Sequence, residues 1–212
     1  MELPESAFTE IILELERQPL EINRFRLNSG LGRSQTFGIV NKRCEIPDLA
    51  RQCWLRPYLY HLLLDFAKKY IKISWTGIQV NQDYHSKPHR DAGNNGNSII
   101  VGFGDYTGGE LNCWGVPHDI RHKPLIFDGS KELHWTLPWV GTRYSLVFHT
   151  LNPRFPLVRY LEEYEPVHIN NKWKIKYTND EGDIEYLDRK NGLPHILSGR
   201  KVSKKGSCGD MT

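Results

Sequence analysis

Apolar residues along the chain recur first at helical spacing and then at a period of two. Phe8, Ile11, Ile12 and Leu15 fall at i, i+3, i+4 and i+7, one face of a helix with Pro4 near its start. Pro57 opens a second such stretch, carried by Leu59, Leu62, Leu63, Phe66 and Tyr70. The alternation of Ile71, Ile73 and Trp75, followed by Ile78 and Val80, predicts a strand with an irregularity near Gly77. Short strands are predicted at Ser98–Phe103, Glu110–Trp114, Leu125–Phe127, His134–Leu137 and Arg143–Thr150. Their breaks are Asn94-Asn95-Gly96, Thr107-Gly108-Gly109, Asp128-Gly129 and Val140-Gly141. Many closely set strands behind two helices predict a mainly β, α+β protein: a small β-sandwich or barrel buttressed by helices.

Three regions read differently. Glu21 to Arg56 looks irregular and basic, with Arg24, Arg26, Arg33, Lys42, Arg43, Arg51 and Arg56 against Glu21, Glu45 and Asp48. It reads either as a solvated loop or as a lip that meets an anionic substrate. Beyond Pro156 a short helix is expected over Leu157 to Glu163, and Trp173, Ile175 and Tyr177 alternate as a strand would. The tail, 189–212, carries Arg189, Lys190, Arg200, Lys201, Lys204 and Lys205 and is expected to fray. One domain over 1–188 is therefore expected, with helices in 1–72, the β core over about 73–150 and an extension over 151–188.

Composition narrows the class. A 39% hydrophobic and 25% charged content excludes a mostly disordered or collagen-like chain. No stretch approaches the roughly 18 consecutive apolar residues of a spanning helix. The opening MELPESAFTE lacks a basic region followed by an apolar one, so no secretory signal is expected. The four cysteines, at 44, 53, 113 and 208, form no C-x-x-C pair. Free thiols and an intracellular location are the reading that follows. The net charge of +3 does not by itself argue for nucleic acid.

The informative chemistry lies in Lys87-Pro88-His89-Arg90-Asp91-Ala92-Gly93-Asn94. On an extended chain His89 and Asp91 leave the same face, presenting an imidazole and a carboxylate together. One further histidine would complete a facial triad for Fe(II), with coordination positions left open. His-x-Asp alone is weak, since this composition gives roughly 0.5 such tripeptides by chance. The context adds weight: Gly108-Gly109-Glu110-Leu111, then His134, then Arg143-Tyr144-Ser145 nine residues further on. Antiparallel neighbours joined by a turn holding Pro138 and Gly141 can bring His134 and Arg143 to one end of a barrel. His118 and His122 are four apart, but Pro117 and Pro124 favour a loop over a helical zinc pair.

With these residues in this order, the chain resembles the Fe(II)/2-oxoglutarate-dependent dioxygenases over roughly residues 73 to 150. The resemblance implies a double-stranded β-helix (jelly-roll) core, Fe(II), 2-oxoglutarate as cosubstrate, O2, and hydroxylation of a C–H bond. It implies His89, Asp91 and His134 as the metal ligands, and Arg143 and Ser145 as the anchor of the far carboxylate of 2-oxoglutarate. Period-two geometry puts Arg143 and Ser145 on one face, and the planar fork of Arg suits a carboxylate. Asn81 and Tyr84, ahead of the pair, are further candidates for contact with 2-oxoglutarate.

His89-x-Asp91-x-x-Asn94 is similar to the TET/JBP branch, which oxidises the methyl group of 5-methylcytosine or thymine. The resemblance makes Asn94 a candidate substrate ligand and DNA a candidate partner, since an amide offers both a donor and an acceptor to a pyrimidine edge. Asn-Asn-Gly is also an ordinary turn. Trp114 and Trp135 read as core residues ahead of base-stacking ones. The alternatives are a prolyl or other protein hydroxylase, which usually carries Lys where this chain has Arg143, and an inactive jelly-roll or cupin-like binding module.

Overall fold

The computed structural model describes residues 2–22, 30–41, 48–152, 164–178 and 182–187. The helix expected at 157–163, the tail, Cys44, Cys208 and the cations at 24, 26, 42 and 43 lie outside them. A short 3-10 turn (Glu5–Ala7) leads into α1 (Thr9–Arg17), then β1 (Gly30–Val40), β2 (Asp48–Leu49), α2 (Arg51–Leu55) and α3 (Pro57–Tyr70). The strands β3 (Gly77–Ser86), β4 (Ser98–Phe103), β5 (Tyr106–Gly108), β6 (Leu111–Cys113), β7 (Val116–His118) and β8 (Leu125–Phe127) follow. After them come β9 (His134–Thr136), β10 (Trp139–Gly141), β11 (Tyr144–His149), β12 (Tyr164–Ile169), β13 (Lys172–Thr178) and β14 (Ile184–Leu187).

A six-stranded antiparallel sheet in the order β2-β1-β3-β11-β4-β8 faces a smaller sheet, β7-β6-β9. A ribbon of β10 and β5 flanks them. This is a jelly-roll, mainly β with helices on one side.

Alternation decides which side each residue takes. Phe37, Ile39, Ile78, Val80, Ile99, Val101, Leu146 and Phe148 point away from the small sheet and join Phe8, Leu15, Leu59, Leu63 and Phe66 of the helical region in one core. Pro57 opens α3 where its missing N–H costs nothing, and Lys68 and Lys69 occupy its last turn, where cations suit the helix dipole. Between the sheets, Ile100, Leu111, Cys113, Ile120 and Phe127 form a second, smaller cluster. The meander β12-β13-β14 packs on α3 through Trp173 against Tyr58 at 5.8 Å and Lys68 against Glu165 at 3.7 Å.

Two expectations are corrected. The segment read as irregular contains β1, an eleven-residue strand paired with β3 from Gly30↔Ser86 to Gly38↔Gly77. Its inward residues are polar because Thr36 lines a cavity and Ser34 bonds the cavity residues Gln79 and Asn81, so hydrophobic alternation is lost. The alternating Ile71, Ile73 and Trp75 are not a strand: the ladder begins at Gly77, and these side chains instead pack against the core.

Candidate active site

The two sheets enclose a cavity of about 560 Å3, within the usual range for a small-ligand site. Its floor is the inner face of the large sheet: Thr36 from β1, Gln79 and Asn81 from β3, and Ser145 and Val147 from β11. Its far wall holds Leu111, His134 and Thr136 of the small sheet, and its mouth holds His89 to Asn94.

His89, Asp91 and His134 converge there, their ligand atoms all within 4.8 Å of one another. The backbone of His89 exchanges two hydrogen bonds with that of His134, at 3.1 and 3.0 Å, which stitches the approach to the site onto the start of β9. The imidazole Nε2 atoms of His89 and His134 stand 3.4 and 3.7 Å from the two oxygens of Asp91. Each Nδ1 lies against a backbone carbonyl, Lys87 at 2.7 Å and Glu132 at 2.9 Å. Donation from Nδ1–H to those carbonyls fixes the tautomer and leaves both Nε2 lone pairs aimed at one place. Burial lowers the pKa of His134, favouring the neutral, ligating form against the opposing pull of Glu132 and Asp91. Cys113, the ladder partner of His134, is no competitor: burial, aided by Glu132, pushes its thiol up to about 11.

Asn94 donates from Nδ2 to Asp91 Oδ2 at 3.2 Å. A carboxylate only accepts, so this contact sets which way round the amide lies. The loop is tied down by Asn95 N–H to the Thr150 carbonyl and Asn152 N–H to that of Gly93, both 2.8 Å.

Deeper in, Arg143 is 2% exposed. Its Nε donates to the Gly109 carbonyl at 3.0 Å, and the rings of Tyr106 and Trp139 flank the guanidinium at 5.7 Å each. Gly109 is required where it stands: φ is +72°, and a Cβ would lie 2.8 Å from Arg143 Cδ. Arg143 Nη2 is buried with no hydrogen-bond partner, and the residue ion-pairs with no carboxylate among the described residues. Burial lowers its pKa, with Tyr106 and Asp83 pulling it back up, yet a guanidinium stays charged at any ordinary pH.

A line of hydrogen bonds crosses the floor beside it. Thr36 Oγ1 donates to Gln79 Oε1 at 2.7 Å, Gln79 Nε2 to Ser34 Oγ, Ser34 Oγ to Asn81 Oδ1 at 2.9 Å, and Asn81 Nδ2 to Ser145 Oγ at 3.2 Å.

All eight residues singled out from sequence therefore line one cavity: His89, Asp91, His134, Arg143, Ser145, Asn81, Tyr84 and Asn94. Sequence reasoning missed Ser34, Thr36 and Gln79, whose signal was present as polar residues two apart on strands that pair. It also missed Tyr106 and Trp139, which reach Arg143 from the β5–β10 ribbon, and it placed Trp114 in the core, whereas that side chain is 59% exposed. The basic lip loses two of its members: Arg56 is buried, and Arg33 Nη1 bonds the Leu20 carbonyl at 2.6 Å.

The sequence matches no protein-family model and no curated protein. Among solved structures it is similar to NgTET1 in complex with 5mC DNA, at 15% identity over 71% of this chain and 69% of that one, with a TM-score of 0.51. It is also similar to a prolyl-4-hydroxylase from Pseudomonas putida, at 18% identity over 71% and 89% of the two chains, TM-score 0.43. A 2OG-Fe(II) oxygenase family oxidoreductase from Burkholderia pseudomallei gives 18% identity over 67% and 76%, TM-score 0.42. At these identities the likeness to NgTET1 is one of fold.

Proposed function

We propose that this chain is an Fe(II)- and 2-oxoglutarate-dependent dioxygenase that hydroxylates the methyl group of a 5-methylpyrimidine in DNA. The observation that carries the class is a single cavity holding a His-Asp-His cluster and a buried guanidinium with an unpartnered nitrogen. The donors fit the metal: two neutral imidazoles and a carboxylate match the facial set used by non-haem Fe(II), with open positions. The cavity fits the cosubstrate too, because a buried cation without a carboxylate partner suits an anionic ligand.

His89, Asp91 and His134 would hold Fe(II). When bound, the iron would let O2 oxidise a C–H bond, with 2-oxoglutarate as the co-reductant: one oxygen atom goes to succinate, with carbon dioxide released, and the other to the substrate as hydroxyl. Arg143 anchors the far carboxylate of 2-oxoglutarate through Nη2. Ser145, whose oxygen already accepts from Asn81, has its own proton to give to that carboxylate. Ile100, Leu111 and Phe127 keep the inner cavity apolar and restrict water around the reacting groups. Asn94 gives one Nδ2 hydrogen to Asp91, which leaves its carbonyl oxygen to accept from substrate and its second Nδ2 hydrogen to donate. 5-Methylcytosine offers an amino donor to that oxygen and thymine a carbonyl to that hydrogen, so Asn94 suits either 5-methylpyrimidine. NgTET1, whose fold the chain shares, was solved with 5mC DNA, in agreement with this reading.

The test is incubation with Fe(II), 2-oxoglutarate and methylated DNA, followed by digestion and mass spectrometry. Hydroxymethylated base and stoichiometric succinate are expected, and both disappear in His89→Ala and Asp91→Ala. Undiminished turnover in either variant removes the triad. Turnover on a proline-containing peptide with no new base would make the chain a protein hydroxylase.

A further inference from the structure

The β6–β7 hairpin turns through Trp114 and Gly115, with Cys113 paired to Val116. Both turn residues have positive φ, +53° and +85°. Such a two-residue turn calls for Asn, Asp or Gly first, and a bulky residue there is a backbone outlier. The turn is held by Asn112 Oδ1, which accepts from Gly115 N–H at 2.7 Å. Strain of this kind persists where something other than stability keeps the residue. Trp114 does not repay it by packing, being 59% exposed.

Its position is specific. Trp114 follows the ladder partner of His134, and its N–H bonds the Leu133 carbonyl at 3.0 Å. The guanidinium of Arg90, a residue of the cavity mouth between His89 and Asp91, sits 5.1 Å from the centre of the indole. That is cation–π range. Arg90 is held there by Nε donation to the Lys131 carbonyl at 2.7 Å. Lys87 adds a second exposed cation beside His89. The nearby acids are engaged: Asp128 with Lys131 at 2.9 Å, and Glu132 with the Asp128 N–H at 3.0 Å.

We infer that Trp114 and Arg90 form a stacking ledge at the cavity mouth that receives a nucleobase next to the target base, with Arg90 and Lys87 facing the adjoining phosphates. An exposed ring beside fixed cations is how single strands are gripped without sequence readout. The inference rests on the nucleic-acid reading above for its class of partner.

The experiment measures binding of a labelled single-stranded oligonucleotide carrying one 5-methylcytosine, by fluorescence anisotropy, to the full chain without Fe(II). Trp114→Asn should weaken binding roughly 5- to 100-fold, while its melting temperature stays equal to or above that of the parent protein, because Asn suits the turn. Trp114→Phe should retain most of the affinity. Arg90→Gln should flatten the slope of log affinity against log salt by about 0.7, one phosphate contact on a single strand. Unchanged affinity in Trp114→Asn overturns the ledge, as does tighter binding of a proline-rich peptide than of the oligonucleotide through the same residue. The two claims separate cleanly. Oligonucleotide binding lost with Trp114 but no oxidised base would sink the proposed reaction and keep the ledge. Oxidised base made equally by Trp114→Asn, with equal affinity, would do the reverse.

Discussion

At the scale of single residues, the balance of charge around Arg143 governs the chemistry. Removing a guanidinium from water costs several kcal/mol unless a partner compensates it. Here Nε has a carbonyl, two aromatic rings lie alongside, and Nη2 has no hydrogen-bond partner among the described residues. Arg143→Ala should raise the 2-oxoglutarate concentration needed for half-maximal succinate release by about tenfold or more, from lost charge-assisted hydrogen bonds of ~1.5–3 kcal/mol. An unaltered requirement would mean that the carboxylate is anchored elsewhere. Asn94 sits at the other end of the cavity and touches Asp91, so Asn94→Ala should weaken oxidation substrate more than 2-oxoglutarate and also loosen metal retention. Equal loss for the DNA substrate and for 2-oxoglutarate would restrict Asn94 to shaping its turn. The shared faces of His89 with Asp91 and of Arg143 with Ser145 were legible because a two-residue spacing on an extended chain fixes them, whereas His134 entered the triad only through the resemblance to the dioxygenases. Tyr106 and Trp139 were not, because no spacing records that the β5–β10 ribbon folds against the guanidinium.

At the scale of elements, β1 shows where hydrophobic patterning fails and why. A strand between a core and a polar cavity alternates core residues with residues of the cavity side, and here these are Thr36, which lines it, and Ser34, which bonds its floor residues Gln79 and Asn81. Gln35, on the helix side, is also polar because it bonds a buried cation: Arg56 Nη1 donates to its Oε1 at 3.0 Å. Arg56 Nη2 reaches the Gln18 carbonyl at 2.5 Å, so one side chain ties β1 to the end of α1. Sequence showed the charge of Arg56 but not its destination, since its partners come from positions up to 42 residues away. Arg56→Ala should leave the Gln35 and Gln18 acceptors without this donor and destabilise the fold by about 1–3 kcal/mol, read as a lower denaturant midpoint. Affinity for DNA and 2-oxoglutarate should hold in the folded fraction. Weakened DNA binding with undiminished stability would return Arg56 to a substrate-facing lip.

At the scale of the whole molecule, the helices and the outer face of the large sheet form one continuous apolar core, while the space between the sheets holds a smaller apolar cluster beside polar floor residues and a buried cation. The strands β4, β6, β8 and β11 could be found from sequence because their apolar residues pack on protein. The polar floor of the cavity could not, because its hydrogen bonds, such as Ser34 to Asn81 and Thr36 to Gln79, join strands more than forty residues apart in the chain. That division makes ligand binding part of the stability of the fold. Ligand at about 100 times its dissociation constant adds ~2.7 kcal/mol to the native state. For a domain of this size, each kcal/mol moves the melting temperature by about 2–4 °C. Anaerobic Fe(II) with 2-oxoglutarate should therefore raise it by roughly 5–11 °C, and a chelator should reverse the part due to metal. In Arg143→Ala, the increment from 2-oxoglutarate should vanish while the increment from metal remains. In His89→Ala, the metal increment should fall away. A parent protein whose melting temperature ignores both ligands would mean that the cavity between the sheets binds neither, and that the buried guanidinium is tolerated for a reason internal to the fold.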